Sequence, residues 1–171
     1  MTENNKIIVD FSQFPFCFRS VTIKGKFTNK LKDSNHFFEK LELLFEKSIP
    51  FFKDYTFDGI YYASQKHSHP IPTDSEQYET IKKILNILVK SFYNFDENGF
   101  EMWFNQNINE YAMWQLGVTG GIRLIGIRKS NLFCVLFIDY HHLLYPSVKY
   151  NQKNSEKYSF CPIKKSDKGD D

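Results

Sequence analysis

Residues 114–147 read WQLGVTGGIRLIGIRKSNLFCVLFIDYHHLLYPS, and the punctuation of this stretch decides the fold. Three strand-like runs are separated by two turn signals. Val118-Thr119-Gly120-Gly121-Ile122 supplies glycines able to take positive φ in a tight hairpin, and Arg128-Lys129-Ser130-Asn131 supplies a second, polar turn. The expected product is a three-stranded antiparallel meander. Leu132 to Ile138 is continuously apolar, so its strand should lie inside the sheet with both faces covered, and Ile122 to Arg128 should be its hairpin partner.

Working outward toward the N-terminus, Lys6 to Phe11 and Phe16 to Phe27 read as two strands around Ser12-Gln13-Phe14-Pro15. The second alternates Phe18, Ser20, Thr22, Lys24 and Lys26 against Arg19, Val21, Ile23 and Gly25, a period of two that suits a sheet. Asp33 or Ser34 can cap a helix in which Phe37, Phe38, Leu41, Leu44 and Phe45 recur at helical spacing until Pro50. Asp54 to Ala63 suggests a short helical turn, and Gln65 to Thr73, with two prolines, a loop. Thr73 and Glu76 form a capping box ahead of Tyr78, Ile81, Ile84, Leu85, Leu88 and Phe92. Asp96 to Gly99 reads as a turn, and Phe100 to Tyr111 as an aromatic, acidic connector that holds either a strand or a short helix. The expectation is one α+β domain over residues 1–146. Its antiparallel sheet joins an N-terminal hairpin to the C-terminal meander, with helices near 35–49 and 74–92 packed on it. Residues 147–171 are polar and uncapped and read as a mobile tail.

Composition excludes more than it assigns. A chain of 171 residues with 42% hydrophobic and 18% aromatic content suits one domain with a real core. The N-terminus has no basic region followed by an apolar one, and the longest apolar run is far short of the ~20 residues that cross a bilayer. A cytoplasmic protein without membrane contact is expected. Cys17, Cys134 and Cys161 are an odd number without close spacing, which argues against a disulfide framework or a four-cysteine zinc site. The net charge of +2 sits in residues 147–171, where six Lys face four acids, so residues 1–146 balance at sixteen basic and sixteen acidic. Within that body Arg19, Lys24, Lys26, Lys30 and Lys32 form an acid-free run, while Asp96, Glu97, Glu101 and Glu110 form a base-free one. Both read as solvated faces; a phosphate-binding face would need the fold to concentrate the basic run.

No cofactor fingerprint or nucleophile motif is present, and no cofactor is expected. Arg123 alternates onto the face of Ile125 and Ile127, where a buried guanidinium must find an acid or reach the rim. If it pairs opposite Phe137, Asp139 lies diagonally within its reach, an arrangement that a one-residue slip abolishes. His67 and His69 would point the same way on an extended segment and with His141 or His142 could hold a metal, but a loop and a strand end account for them more simply, and no metal is expected. Tyr145 before Pro146 reads as a packing anchor. Phe100, Trp103, Phe104 and Trp114, beside acids, suggest an exposed aromatic contact face for a partner protein.

Trp114-Gln115-Leu116, Arg123-Leu124-Ile125-Gly126 and Ile138-Asp139-Tyr140-His141-His142-Leu143-Leu144-Tyr145-Pro146 resemble an uncharacterised family of small bacterial proteins associated with plasmids, phages and defence islands. In that family an R-x-x-G strand precedes one running into a D-x-x-H-x-L-Y-P-like ending. Leu31-Lys32-Asp33-Ser34 and His67-Ser68-His69-Pro70-Ile71 are similar to its middle region, so the likeness covers roughly Val9 to Pro146. It implies no established activity. The aromatic residues beside acids favour a binding or accessory module, with Asp139, Trp103, Phe104 and Trp114 as contact residues and oligomeric state open. The order of elements is also similar to that of the RelE/HigB class of ribosome-dependent ribonuclease toxins. That likeness implies metal-free RNA cleavage, with Arg123 or Arg128 on the phosphate and His142 and Tyr145 as acid–base groups. An electroneutral body weighs against it, so nucleic acid is the less favoured partner.

Overall fold

The computed structural model describes residues 5–64, 66–117, 121–146 and 155–163. Its centre is a five-stranded sheet in the order β1-β7-β6-β5-β4, formed by β1 (Ile8–Asp10), β4 (His69–Pro70), β5 (Ala112–Leu116), β6 (Arg123–Lys129) and β7 (Leu132–Asp139). The meander β5-β6-β7 is antiparallel, and β7 is interior to the sheet. Of the glycine turn expected over Val118–Ile122, residues 118–120 lie outside the described residues, whereas the Ser130–Asn131 turn is tight, with Ser130 at φ 58°.

The helices divide between the two faces. On one side α4 (Glu76–Tyr93) and α5 (Glu97–Asn107) bury Ile81, Ile84, Leu85, Leu88, Phe100 and Phe104 against Ile125, Ile127, Cys134, Leu136 and Phe137. On the other, α1 (Ser34–Leu43), α2 (Ile49–Phe52) and α3 (Phe57–Ser64) cover Trp114, Leu116, Leu124, Phe133, Val135 and Ile138. Each such apolar side chain contributes about 1.5–3 kcal/mol on leaving water, so the continuously apolar β7 is explained by its two covered faces. The molecule is α+β, as the sequence indicates.

Several local expectations are corrected. The N-terminal segments do not form a hairpin within the sheet. β1 joins β7 in parallel, and β2 (Thr22–Ile23) pairs only with β3 (Phe27–Thr28) in a separate ribbon. Residues 14–19 turn instead of extending, because Phe14 and Phe16 both enter the α4–α5 core, with Trp103 stacked edge-on to each ring. Pro50 does not stop the first helix. A π-helical turn over Leu44–Ser48 inserts a residue ahead of it, which accommodates the missing N–H and the ring. The cap of α4 is Ser75, accepting from the Tyr78 N–H at 3.1 Å, rather than Thr73. Asp96 to Gly99, read as a turn, instead opens helix α5 with Asp96 as its cap, and of the two forms open to the connector the helix is the one formed. His69–Pro70, read as loop, is an edge strand, where a proline is tolerated.

Of the polar C-terminal stretch, residues 155–163 are described. Ser155 is buried, Phe160 exchanges both backbone hydrogen bonds with Leu31 at 2.9 Å, and Tyr158 packs against His36 and His141.

Candidate functional site

The site begins with a β-bulge. Lys129 faces Leu132 and Gly126 faces Val135 across the tight turn, but Ile125 faces Phe137, leaving Leu136 as an extra residue. Leu136 and Phe137 consequently both enter the α4–α5 core, and every later residue of β7 changes face. Gly126 permits this. A Cβ there would lie 2.4 Å from the Cys134 carbonyl oxygen and 2.6 Å from the Phe133 ring. Because of the bulge Asp139 stands directly opposite Arg123 on the same face, not diagonal to it with Phe137 opposite as expected. With an unbroken ladder Asp139 would point at the α1–α3 layer.

Arg123 is 2% exposed. Its Nη1 donates to the Ile122 carbonyl at 2.8 Å, and its Nη2 donates to His67 Nδ1 at 2.9 Å. The side chain reaches His67 by lying across the end of β5 at Gly117, where a Cβ would meet Arg123 Cδ at 2.5 Å and Nε at 2.8 Å. Ser68 fastens the histidine segment to that same glycine, donating to the Gly117 carbonyl at 2.7 Å and accepting its N–H at 3.1 Å. Gln115 Nε2 donates to the His67 carbonyl at 3.2 Å and lies 3.4 Å from His69 Nε2.

These contacts settle two tautomers. A guanidinium only donates, so His67 Nδ1 is the acceptor and the neutral ring carries its proton on Nε2. His69 Nδ1 lies 3.0 Å from the Pro70 carbonyl, which only accepts, so that ring is protonated on Nδ1.

Asp139 is fully buried and shapes the loop that follows. Its Oδ1 accepts the His141 N–H at 3.1 Å and its Oδ2 the Leu144 N–H at 2.9 Å. The loop thus pinned holds His142 at φ 58°, a left-handed backbone uncommon for histidine. It also sets Tyr145 edge-on to His69, with ring centroids 4.9 Å apart. Desolvation raises the pKa of the Asp139 carboxyl against these hydrogen bonds. Lys40 of α1 is drawn in from the other side of the rim; burial lowers its pKa and Asp139 partly restores it.

Burial, then the charge of Arg123, then His67 bring the His142 imidazole down to about 4. Burial, then Arg123, Lys66 and His69 lower that of His67. Both rings are neutral at pH 7. Half-exposed His67, His69, His142 and Tyr145 therefore converge on one rim around a buried guanidinium. Such a rim can donate and accept hydrogen bonds and move protons without a metal. Among the described residues no group of three or more His, Cys, Asp or Glu stands where it could hold a metal ion.

Arg123, Asp139, His142 and Tyr145 are thus brought together, whereas the aromatic residues are not part of any surface. Trp103, Phe104 and Trp114 are 9%, 2% and 5% exposed, the first two in the α4–α5 core and the last against Phe57 of α3. The exposed contact face expected there is corrected to core, since α5 turns Phe100, Trp103 and Phe104 inward and β5 sets Trp114 beneath α3. Large apolar side chains reach solvent elsewhere, at Phe38, Phe45 and Tyr62. Arg128 is remote from the rim, over the Phe57 ring at 4.7 Å. His141 is buried and donates from Nε2 to the Lys30 carbonyl at 2.7 Å. Sequence reasoning missed Gln115, Gly117 and Ser68; the His-Ser-His spacing was the available signal for Ser68.

Fold and site together define a small α+β protein with a histidine-lined sheet rim. A family model described as Uncharacterised protein UU032 matches residues 12–168. The Uncharacterized protein UU032 of Ureaplasma parvum serovar 3 (strain ATCC 700970) is 30% identical over 145 residues, covering 84% of this chain and 74% of the relative. The chain belongs to the UU032 family. No solved structure matches. These matches agree with membership of an uncharacterised family and say nothing of plasmids, phages, defence islands or ribonuclease toxins. Among the described residues no helix is long and apolar enough to cross a membrane.

Proposed function

We propose that the protein is a cytoplasmic binding or accessory component of a bacterial mobile-element or defence system, and that its working surface is the histidine rim. The convergence of His67 and His142 on the buried Arg123, with Tyr145 packed on His69 beside them, carries this reading. Two separate segments bring polar, half-exposed side chains to the buried Arg123 of a third, and a bulge, two glycines and a left-handed histidine hold them there. The bacterial setting rests on the sequence resemblance alone.

Metal-independent ribonuclease chemistry is the second reading, favoured by two neutral imidazoles beside a guanidinium and opposed by a formal net charge of only +2. Expression of wild type beside His142→Asn and Tyr145→Phe separates the two readings, with growth, RNA integrity and stoichiometric co-purifying protein recorded together. A partner retained by wild type and lost from both folded variants supports the binding reading. RNA cleavage that both variants abolish replaces it with the nuclease. Variants indistinguishable from wild type in all three readouts would contradict a working role for the rim.

A further inference from the structure

Helix α1 buries none of its ten residues. The stripe Phe37, Phe38, Leu41, Leu44 and Phe45 is expected to lie on the sheet, yet the structure splits it. Phe37 meets the Tyr140 ring edge-on and Leu44 is fully buried, while Phe38 and Phe45 stand 64% and 51% exposed. Seven positions apart, with partly buried Leu41 between them, these two rings lie along one shoulder of the helix. Phe45 continues that shoulder to Phe11 at 5.9 Å, and Phe11 stacks on Phe18 at 5.4 Å, so the aromatic surface runs on past the helix. Single exposed apolar side chains are ordinary; a contiguous row of them marks a contact surface.

Charge decides what covers it. Glu39, Glu42 and Glu46 repeat the spacing of Phe38, Leu41 and Phe45 one position on, and all three are exposed. Among the described residues none of them makes an ion pair. With Leu43 and Lys47 they line a groove of about 280 Å³ beside the π-helical turn. Lys40 lies inward, where Asp139 acts on it, which leaves Lys47 alone in this stretch against three carboxylates. An acidic row repels a nucleic acid or an anionic membrane surface. Antiparallel contact with a second copy would set one acidic row against the other.

We propose that the outer face of α1 and the π-helical turn after it docks a basic amphipathic helix of a partner protein. Its apolar side chains cover Phe38, Leu41 and Phe45, and its lysine or arginine side chains meet Glu39, Glu42 and Glu46. Two rows of one spacing suit a helical partner, which presents an apolar row beside a basic one at the same repeat. The apolar row supplies affinity. The acidic row sets orientation and rejects acidic segments. This surface stands independently of the histidine rim.

The test is fluorescence anisotropy of a labelled leucine–lysine peptide, patterned as an amphipathic helix about five turns long, titrated with the full-length chain. The expected result is saturable binding in the micromolar range, weakened about tenfold by Phe38→Ser. Glu39→Gln, Glu42→Gln and Glu46→Gln combined should weaken it about tenfold as well and remove most of its salt dependence. All four positions are exposed, so these variants should melt as the wild type does. His142→Asn should bind like wild type. A leucine–glutamate peptide that binds as tightly, or binding that Phe38→Ser and the combined glutamine variant leave intact, overturns the proposal. So does a dimer in sedimentation that Phe38→Ser dissociates, or retention on phosphatidylglycerol vesicles that it abolishes, since the face then belongs to a second copy or to a lipid surface. Loss of the peptide from His142→Asn while Phe38→Ser keeps it would move the partner to the rim and overturn the proposal while leaving the rim reading in place.

Discussion

The two ends of the β6–β7 ladder carry an arginine each and use it in opposite ways. At the turn end Arg128 lies over the Phe57 ring, donates to the Ser130 carbonyl at 3.1 Å and approaches Asp58 to 3.9 Å, partly in solvent throughout. At the far end Arg123 is buried, faces a buried carboxylate across the ladder and holds a histidine ring. Only the second end follows the bulge. Along one strand, residue type and spacing are shared; the extra residue at Leu136 and the missing Cβ at Gly117 make one end a site and leave the other a surface.

The sharpest way to break that difference is to fill Gly126. Gly126→Val places side-chain carbon on the Cys134 carbonyl and the Phe133 ring, so the bulge cannot form without moving β7, and a loss of about 3 kcal/mol or more is expected in urea unfolding. The arginines come next. Arg123→Met should cost about 3 kcal/mol, since Asp139 then stays buried without the guanidinium opposite it. Arg128→Met, which gives up a ring contact and a solvent-exposed ion pair, should cost less than ~1 kcal/mol. Equal losses at the two positions would erase the contrast.

A smaller effect sharpens the comparison through pH. His142 is held at about 4 in the folded chain, against ~6.5 for an unfolded histidine. Between these values the unfolded chain binds more protons, so stability falls as pH drops through that window. Discounted for its partial exposure, the effect is about 1–2 kcal/mol. His142→Asn keeps a residue tolerant of positive φ and removes the titration. Its stability should therefore change less than that of wild type between pH 7 and 4.5; parallel pH profiles would show that His142 is not held neutral. Taking the difference between the two chains cancels Asp139, whose raised pKa works in the opposite sense. The smallest effect is expected of Tyr145→Phe, within about 0.5 kcal/mol of wild type by thermal unfolding, because its ring contact with His69 survives.

Much of this architecture is legible in the sequence where period and apolarity agree. The meander, the doubly covered β7 and the α4 helix follow from alternation, an unbroken apolar run and a helical stripe. Residues 14–28 mislead because alternation of Phe18, Ser20 and Thr22 satisfies a strand template, while burial of Phe14 and Phe16 pulls the chain into turns. The aromatic connector misleads for a related reason: Trp103 and Phe104 are chemically suited to a contact face, and nothing local reports that α5 lies on the sheet. At the site, the nearness of Arg123 and Asp139 is readable from the alternation of β6, yet their direct pairing depends on a bulge whose trace in the sequence is one glycine. His67 is visible only as half of a His-Ser-His spacing, since its partner stands 56 positions away.

A rim held by Arg123 requires two rings in a defined state. Long-range nitrogen–proton NMR spectra of the histidine side chains at pH 7 read the tautomer and charge of each directly. The expected result is a neutral His67 protonated on Nε2, with Nδ1 showing the shift of a hydrogen-bonded acceptor, beside a neutral His142. A His67 ring protonated on Nδ1, or a positive charge on either ring, would contradict it.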